Sequence, residues 1–313
     1  AHLLSQSTIL LLTNIIPLII MERTADSETS LRIAIQKSGR LTDKTIDLLK
    51  GIGLRFDDYK RNLMVKCRNF DVELLLIRDD DIPEYVQDGV CDLGFVGANV
   101  TKETGADVTV LRDLDYGVCH LSLAARKNGS IKSAEDFEGK TIATSYPNIT
   151  RRFMEDKGVN ANIVTISGAV EIAPRLEVAD AICDLVSTGN TLKANGLVEL
   201  ETIMESETQL IRTNKKLSPG KKRLIDKFLV RMDGHQQAER SRYIMMNAPK
   251  SAVPKIKDII PSLKSPTVMP LADEEMVAIH TVIPIDEFWV VMEKLKAEGA
   301  SGIVILPIES MIL

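Results

Sequence analysis

Leu31-Arg-Ile-Ala-Ile-Gln-Lys-Ser-Gly-Arg-Leu-Thr-Asp-Lys-Thr-Ile-Asp-Leu-Leu-Lys-Gly51 runs from a short β-rich stretch, through a turn carrying two cations, into a helical segment. Leu31 to Ile35 reads as the strand. Thr42 stands where a helix N-cap belongs, Ile46, Leu48 and Leu49 supply a buried face, and Gly51 with Gly53 supplies the stop. The alternation continues with strand-like 72–77, helical 80–88 and strand-like 93–96. Strands alternating with helices at this spacing predict βαβ units and parallel pairing, so the fold class is α/β.

Working outward, a second set opens near Gly117, with strands at 118–125, 140–143, 162–166 and 181–186 and a helix at 148–157. Two lobes follow from the two sets. A polar break at 213–220 leads into an amphipathic helix from Lys221 to about Arg240, with Leu224, Ile225, Phe228, Leu229 and Met232 on one face. The remainder reads strand 243–247, helix 253–260, strand 267–271, strand 276–283, helix 287–298 and strand 302–306. That βαββαβ order is the ferredoxin-like plan. The expected organisation is an N-terminal extension over 1–30, lobe I over 31–115 and 205–238, lobe II over 116–204, and a small C-terminal domain over 239–313.

Composition bounds the function. At 313 residues and 44% hydrophobic content the chain fills more than one core. Its net charge of -5 and pI near 5.6 exclude a partner held mainly by neutralising a nucleic-acid backbone, while small anionic ligands need only local amides and cations. Cys67, Cys91, Cys119 and Cys183 form no CxxC pair and are expected reduced and mostly buried, as in a cytoplasmic chain. The first twenty residues carry no Asp, Glu, Lys or Arg. Their apolar stretch from Ile9 to Ile20 is interrupted by Thr13, Asn14 and Pro17 and falls short of the roughly 18 to 20 residues of a spanning helix. With no basic n-region or small-residue cleavage site, neither membrane nor export is expected, and Met21 is the expected biological start.

The sharpest local feature is Asp180-Ala-Ile-Cys-Asp184-Leu-Val-Ser187-Thr-Gly-Asn-Thr191-Leu, an apolar strand punctuated by acids that enters a Ser/Thr/Gly loop ahead of a helix. Backbone N–H groups of such a turn meet an anion, and the hydroxyls of Ser187, Thr188 and Thr191 add donors around Gly189 and Asn190. The alternative is a plain helix cap. Asp184 favours a ligand, because a carboxylate in a strand buried on both faces is expensive without a partner, and it could accept from two ribose hydroxyls. A second feature is Gln36-Lys37-Ser38-Gly39-Arg40, where two cations flank a glycine in a turn able to grip a pyrophosphate; a solvated βα loop is the alternative. Asp79-Asp80-Asp81 can hold Mg²⁺ through water, although acids at a helix start also simply favour the dipole, and this second reading carries more weight. His120, His235 and His280 sit singly and read as structural. There is no GxxxxGK[ST], HExxH or GxSxG, and Gly51-Ile-Gly53 does not extend to a dinucleotide fingerprint.

These residues resemble ATP phosphoribosyltransferase of the long form, the family that opens histidine biosynthesis. The resemblance covers Leu31 to about Pro307. It is carried by Leu31 to Leu41, Arg78-Asp-Asp-Asp-Ile-Pro83, Asp88-Gly-Val-Cys-Asp-Leu-Gly94, Ile142-Ala-Thr-Ser-Tyr-Pro147, and Glu171-Ile-Ala-Pro through Thr191-Leu192. Glu177 stands where that last pattern has glycine, in the turn before the strand.

The resemblance implies two lobes similar to type II periplasmic binding proteins and a C-terminal ACT-like module that binds histidine as feedback inhibitor. It also implies a Mg²⁺-dependent transfer from phosphoribosyl pyrophosphate to N1 of ATP, and a homo-oligomer, dimer or hexamer. Ser187 to Thr191 would hold the 5-phosphate and Asp184 the ribose hydroxyls. Lys37 and Arg40 would stabilise the departing pyrophosphate, and Tyr116 and Glu171 would line the nucleotide pocket. No metal ligand is named, since substrate phosphates can supply most of them. Two rivals remain: a solute receptor, which would call for an export signal, and a non-catalytic regulatory subunit, which would not need Lys37, Arg40 and the whole 187–191 loop.

Overall fold

The computed structural model describes residues 30–57, 59, 61–260 and 265–312. Residues 1–29 of the expected extension, Met21 among them, lie outside these. By packing the chain divides into two units, one up to Asp47 and over Leu54–Lys222, the other over Leu48–Gly53 and Arg223–Leu313.

The first unit is built on a nine-stranded sheet. Its strands are β1 Leu31–Gln36, β2 Met64–Lys66, β3 Val72–Ile77, β4 Leu93–Gly97, β5 Val108–Arg126, β6 Thr141–Thr144, β7 Asn162–Thr165, β8 Ala181–Val186 and β9 Leu197–Thr213. They lie in the order β2-β3-β1-β4-β9-β5-β8-β6-β7. β1 pairs in parallel with β3 and β4, and β6 pairs in parallel with β7 and β8, so each lobe has its own parallel group. The helices are α1 Thr42–Gly51, α2 Ile82–Gln87, α3 Ala98–Thr104, α4 Pro147–Asp156 and α5 Asn190–Ala194. The lobe I core joins Ala34, Leu75, Ile82, Val96 and Val100, while lobe II packs both faces of its strands, with Leu123, Phe137 and Ile142 in one cluster and Ala143, Ile182 and Leu192 in the other.

The two lobes are joined by β5 and β9, an antiparallel pair that runs from Val108↔Thr213 in lobe I to Arg126↔Leu197 in lobe II. The sequence reads a strand only from Val118; the chain instead forms one 19-residue strand that includes the polar stretch Asp113–Gly117. That stretch survives inside a strand because the ladder breaks there. Leu114 pairs with Thr208 and the next pairing is Cys119 with Ser206, so four residues bulge opposite Glu207. Gly117, at φ +71°, makes the bulge possible: a Cβ there would stand 2.4 Å from Leu41 Cδ2 and 2.8 Å from Thr208 Oγ1. Two α/β lobes joined by two crossing strands is the periplasmic-binding-protein-like plan.

One detail corrects the sequence reading and a second explains a departure it noted. Thr42 is the first residue of α1 rather than its cap, and its hydroxyl donates to the Gln36 carbonyl at 3.1 Å, closing the β1–α1 turn instead of the helix end. Glu177 adopts φ +58°, the left-handed conformation that glycine takes without strain, in a turn closed by Val178 N–H to Ala173 O at 3.1 Å.

The second unit has β10 Ser241–Pro249, α7 Val253–Ile259, β11 Thr267–Pro270, β12 Met276–Pro284, α8 Phe288–Ala297 and β13 Ser301–Pro307. The antiparallel order β11-β12-β10-β13 is that of a ferredoxin-like βαββαβ domain. Ile244, Met246 and Ile279 of the sheet meet Ile256 of α7 and Val291 and Leu295 of α8 in its core. The long helix α6 Pro219–Glu239 enters this unit from Arg223, so residues 223–238, expected with lobe I, pack here. The physical reason is the C-terminal segment lying along them: Met311 N–H donates to Gly234 O at 2.8 Å, and a Cβ on Gly234 would come within 3.0 Å of Ser310 Oγ. Among the described residues no helix is long and apolar enough to cross a membrane.

Candidate active site

A cleft of ≈ 310 Å³ opens between the lobes of the first unit, at the C-terminal ends of their parallel strands. Gln36, Gly39 and Arg40 reach it from the β1–α1 turn, Asp79 from the turn after β3, Gly97, Asn99 and Val100 from the β4–α3 junction. Gly117, Val118 and Cys119 come from the bulge of β5, Tyr146 from the β6–α4 turn, and Leu185 and Ser187 from the end of β8. The carboxyl ends of parallel strands are where α/β sheets place ligands, because helix N-termini and short βα turns converge there.

The two features singled out in the sequence meet across this cleft. The Arg40 guanidinium donates to Ser187 Oγ at 3.3 Å, over 147 residues of chain. Gln36 shapes the Arg40 turn, its side-chain oxygen accepting from Leu41 N–H at 3.3 Å. Lys37 is exposed and lies outside the cleft lining, with its backbone N–H on Ile77 O at 2.7 Å.

On the opposite side, Gly189 at φ +71° turns the chain into α5. The backbone N–H groups of Thr188, Gly189, Asn190 and Thr191 find no acceptor among the described residues, and Thr188, Asn190 and Thr191 are exposed. Four free amides with hydroxyl side chains beside them make an anion-receiving turn.

Asp184 stands just before that turn. The sequence reading placed it in a strand buried on both faces; β8 is buried over Ala181–Cys183 and again at Val186, and half-buried at Asp184 and Leu185. The Asp184 carboxyl is pushed above its ordinary value of 3.8 by burial; a hydrogen bond from Leu185 N–H, at 2.8 Å, draws it down, neighbouring Glu171 raises it and Arg40 lowers it. Glu171, in a short 3₁₀ turn over Val170–Ile172, is thus placed beside Asp184 rather than in the cleft lining.

Tyr116 is turned away from the cleft. Its hydroxyl bonds Thr45 Oγ1 of α1 at 2.8 Å, and burial pushes it up to about 12. The aromatic ring that does line the cleft is Tyr146, which sequence reasoning did not single out. Its hydroxyl accepts from Asn99 Nδ2 at 3.1 Å, and burial together with Asp184 raises it well above the usual phenol range. Asn99 is fixed in turn by Ser206, whose hydroxyl donates to Asn99 Oδ1 at 2.8 Å. Cys119, also missed, is half-buried; burial raises its thiol and neighbouring Arg40 lowers it. The available signal for Tyr146 was its position one residue before Pro147, at the exit of a β-rich run into a helix.

The other titratable candidates are structural. His120 Nε2 pairs with Glu199 Oε1 at 2.7 Å, His280 Nδ1 with the Tyr243 hydroxyl at 2.8 Å, and His235 Nδ1 lies 3.4 Å from Glu309 O. All four cysteines are free. No group of three or more His, Cys, Asp or Glu side chains among the described residues is arranged to hold a metal ion.

The pattern of the ATP phosphoribosyltransferase family matches residues 78–234, and that of the HisG C-terminal domain matches residues 238–310. The chain belongs to the ATP phosphoribosyltransferase family. Relatives named ATP phosphoribosyltransferase from Parabacteroides distasonis and Phocaeicola vulgatus are 47% and 46% identical to it over 283 residues, which is 90% of this chain and 100% of each relative. Among solved structures, a chain of the ATP phosphoribosyl transferase (HisG:HisZ) complex from Thermotoga maritima is 30% identical, with a TM-score of 0.57, and covers 65% of this chain and 96% of that one. The C-terminal domain match sets the βαββαβ unit within the same family, as the long form requires.

Proposed function

We propose that the chain transfers the phosphoribosyl group of phosphoribosyl pyrophosphate to N1 of ATP, giving phosphoribosyl-ATP and pyrophosphate, as the first step of histidine biosynthesis in the cytoplasm. The observation that carries this reading is the meeting of Arg40 with Ser187 across the cleft, beside four free amides and the Asp184 carboxyl.

Each part of the substrate finds matching chemistry. The free amides of Thr188 to Thr191, with the hydroxyls of Ser187, Thr188 and Thr191, receive the 5-phosphate. Asp184 accepts from the ribose hydroxyls, and those donors replace the water that its half-burial excludes. Arg40 faces the departing pyrophosphate, while Lys37, exposed on the same turn outside the cleft lining, would add positive charge from further off. N1 of the adenine forms a bond to ribose C1 as the C1–O bond breaks, with the bonding pair leaving on pyrophosphate and C1 inverted. The transition state is loose and cationic at C1. It needs alignment of two substrates and stabilisation of leaving-group charge, and no protein nucleophile, which fits a cleft without one. Tyr146 supplies the aromatic wall nearest Asp184, while Tyr116 braces α1, so we assign the ring beside the nucleotide to Tyr146, with Glu171 acting on Asp184.

Mg²⁺ fits this site only as a guest of the substrates. With no three-ligand cluster among the described residues, the phosphates would supply most of its ligands, and Asp79 is the carboxylate lining the cleft that would meet its waters. Bound there it would neutralise charge on the pyrophosphate. The βαββαβ unit is assigned the histidine-binding regulatory role and a part in homo-oligomer formation, supported by its match to the HisG C-terminal domain.

The test is incubation with ATP, phosphoribosyl pyrophosphate and Mg²⁺, with mass spectrometry for phosphoribosyl-ATP, with and without histidine. Product that falls on adding histidine is expected. Folded protein that binds phosphoribosyl pyrophosphate yet makes none would return the chain to the regulatory-subunit reading.

A further inference from the structure

Helix α3 of lobe I carries Asn99 and Glu103, four residues apart and so on one face. Both reach the start of α4 in lobe II. Glu103 Oε1 accepts from Asn148 N–H at 2.8 Å and Oε2 from Ile149 N–H at 2.9 Å, while the Glu103 carbonyl accepts from Asn148 Nδ2 at 3.1 Å. One turn back along α3, Asn99 Nδ2 donates to the Tyr146 hydroxyl.

Asn148 and Ile149 lie in the first turn of a ten-residue helix, whose N–H groups have no intrahelical acceptor. Such groups are ordinarily met by the residue at the helix's own N-cap. Here that residue is Tyr146, which makes no side-chain cap. The cap comes instead from a carboxylate 45 residues earlier, on the other lobe, with a charge sign that suits the positive end of the helix. A cap placed across a cleft is also a clasp. It can be made in this form only when the lobes stand at this separation, and it fixes the turn that presents Tyr146 next to Asp184.

We propose that Glu103 is a positioning residue that clasps lobe II to lobe I and thereby sets the width of the cleft and the place of Tyr146 within it. The inference rests on the phosphoribosyl-transfer reading of that cleft. Without the clasp, substrate binding must itself supply the closure, so affinity falls while the chemistry of the closed complex is retained.

The experiment uses the full chain with Glu103→Ala and Glu103→Gln. It compares kcat and KM for phosphoribosyl pyrophosphate, calorimetric binding of phosphoribosyl pyrophosphate, and amide hydrogen exchange at Asn148 and Ile149, with circular dichroism as the control for folding. Glu103→Ala is expected to raise KM about tenfold, equivalent to about 1.4 kcal/mol, with kcat changed by less than about threefold. Both amides should exchange faster. Glu103→Gln keeps one acceptor and should recover part of the affinity, which serves if the alanine variant folds poorly. Faster exchange with unchanged KM and binding would reduce Glu103 to a helix cap and overturn the proposal, as would unchanged exchange. If wild-type protein forms no product, the phosphoribosyl-transfer reading fails by itself; the binding and exchange arms still decide whether the clasp exists.

Discussion

Glu177→Gly should make the protein more stable, and the size of the gain can be worked from the turn it sits in. Glu177 holds φ +58° between Pro174, whose carbonyl accepts its N–H at 3.3 Å, and Val178, whose N–H closes the turn on Ala173. A residue with a Cβ in the left-handed region carries about 1–2 kcal/mol of steric cost, which glycine does not. Against this, glycine gives the unfolded chain more freedom, costing about 0.4–1 kcal/mol. The side chain itself offers little in return, since it is exposed and makes no ion pair among the described residues. The expected net is a stabilisation of about 0.5–1 kcal/mol, or roughly 2 °C in Tm for a unit of this size.

The assay is thermal and urea unfolding followed by circular dichroism, with Glu177→Ala as control. Alanine removes the carboxylate but keeps the Cβ, so it should stay within about 0.5 kcal/mol of the parent. A glycine variant no more stable than the parent would refute the strain argument. So would an alanine variant that gains as much as the glycine one, because the effect would then belong to the charge.

Arg40→Ala should lower kcat about 10²-fold in a phosphoribosyl-ATP assay, the range for removing one preorganised donor from a developing negative charge, and Lys37→Ala should lower it less, because Lys37 stands outside the cleft lining; unchanged turnover in both variants would remove their role. Asp184→Asn should lower affinity for phosphoribosyl pyrophosphate while raising the unfolding midpoint at pH 7. Its folded carboxyl titrates above 3.8, so the native state gains stability as pH falls through the folded value, and the gain is complete below the unfolded one. The stability advantage of the asparagine variant should therefore shrink as pH approaches 3.8, and an advantage that grew instead would contradict the desolvation of Asp184. Gly117→Ala combines the φ penalty with a Cβ only 2.4 Å from Leu41 Cδ2, and should cost about 2–4 kcal/mol in urea unfolding.

Sequence and structure agree where local pattern and packing point the same way. The C-terminal unit was legible element by element, because its β-rich runs are short and separated by helices that carry apolar residues three and four apart, and because β10 and the second half of β12 alternate buried and open positions. The 187–191 loop and Arg40 were legible as candidates, and the fold brings Arg40 and Ser187 together across the cleft, while Lys37 lies outside its lining. What could not be read was anything fixed by a partner distant in sequence. Asp113–Gly117 is too polar to declare itself part of a strand and is carried into one because β9 lies beside it, whereas the β-rich Val108–Leu111 was open to reading. Tyr116 and Tyr146 are indistinguishable as tyrosines near turns; Thr45 decides that one faces α1, and Asn99 that the other faces the cleft. Glu103 offered no signal at all, because an acid near the end of a helix has many uses and its partners lie 45 and 46 residues on.

The way the lobes are joined also bears on how the cleft would admit the two substrates proposed for it. β5 and β9 form a long ladder whose pairing continues on both sides of the bulge at 115–118, so the lobes are permanently connected there. The other links described between them are polar and mostly at the surface: Arg40 to Ser187, Asn99 to Tyr146, and Glu103 to Asn148 and Ile149. Neutral hydrogen bonds contribute about 0.5–1.5 kcal/mol each and those to charged groups about 1.5–3 kcal/mol, and exposed ones are readily exchanged for water. Closure held by these polar links is an equilibrium, which a ligand shifts by the difference in its affinity for the two states. On the proposed function, phosphoribosyl pyrophosphate with its 5-phosphate on the 188–191 amides and its pyrophosphate against Arg40 would touch both lobes at once and so favour the closed state. On that same proposal, the contacts that would stabilise the leaving group would therefore also favour closure.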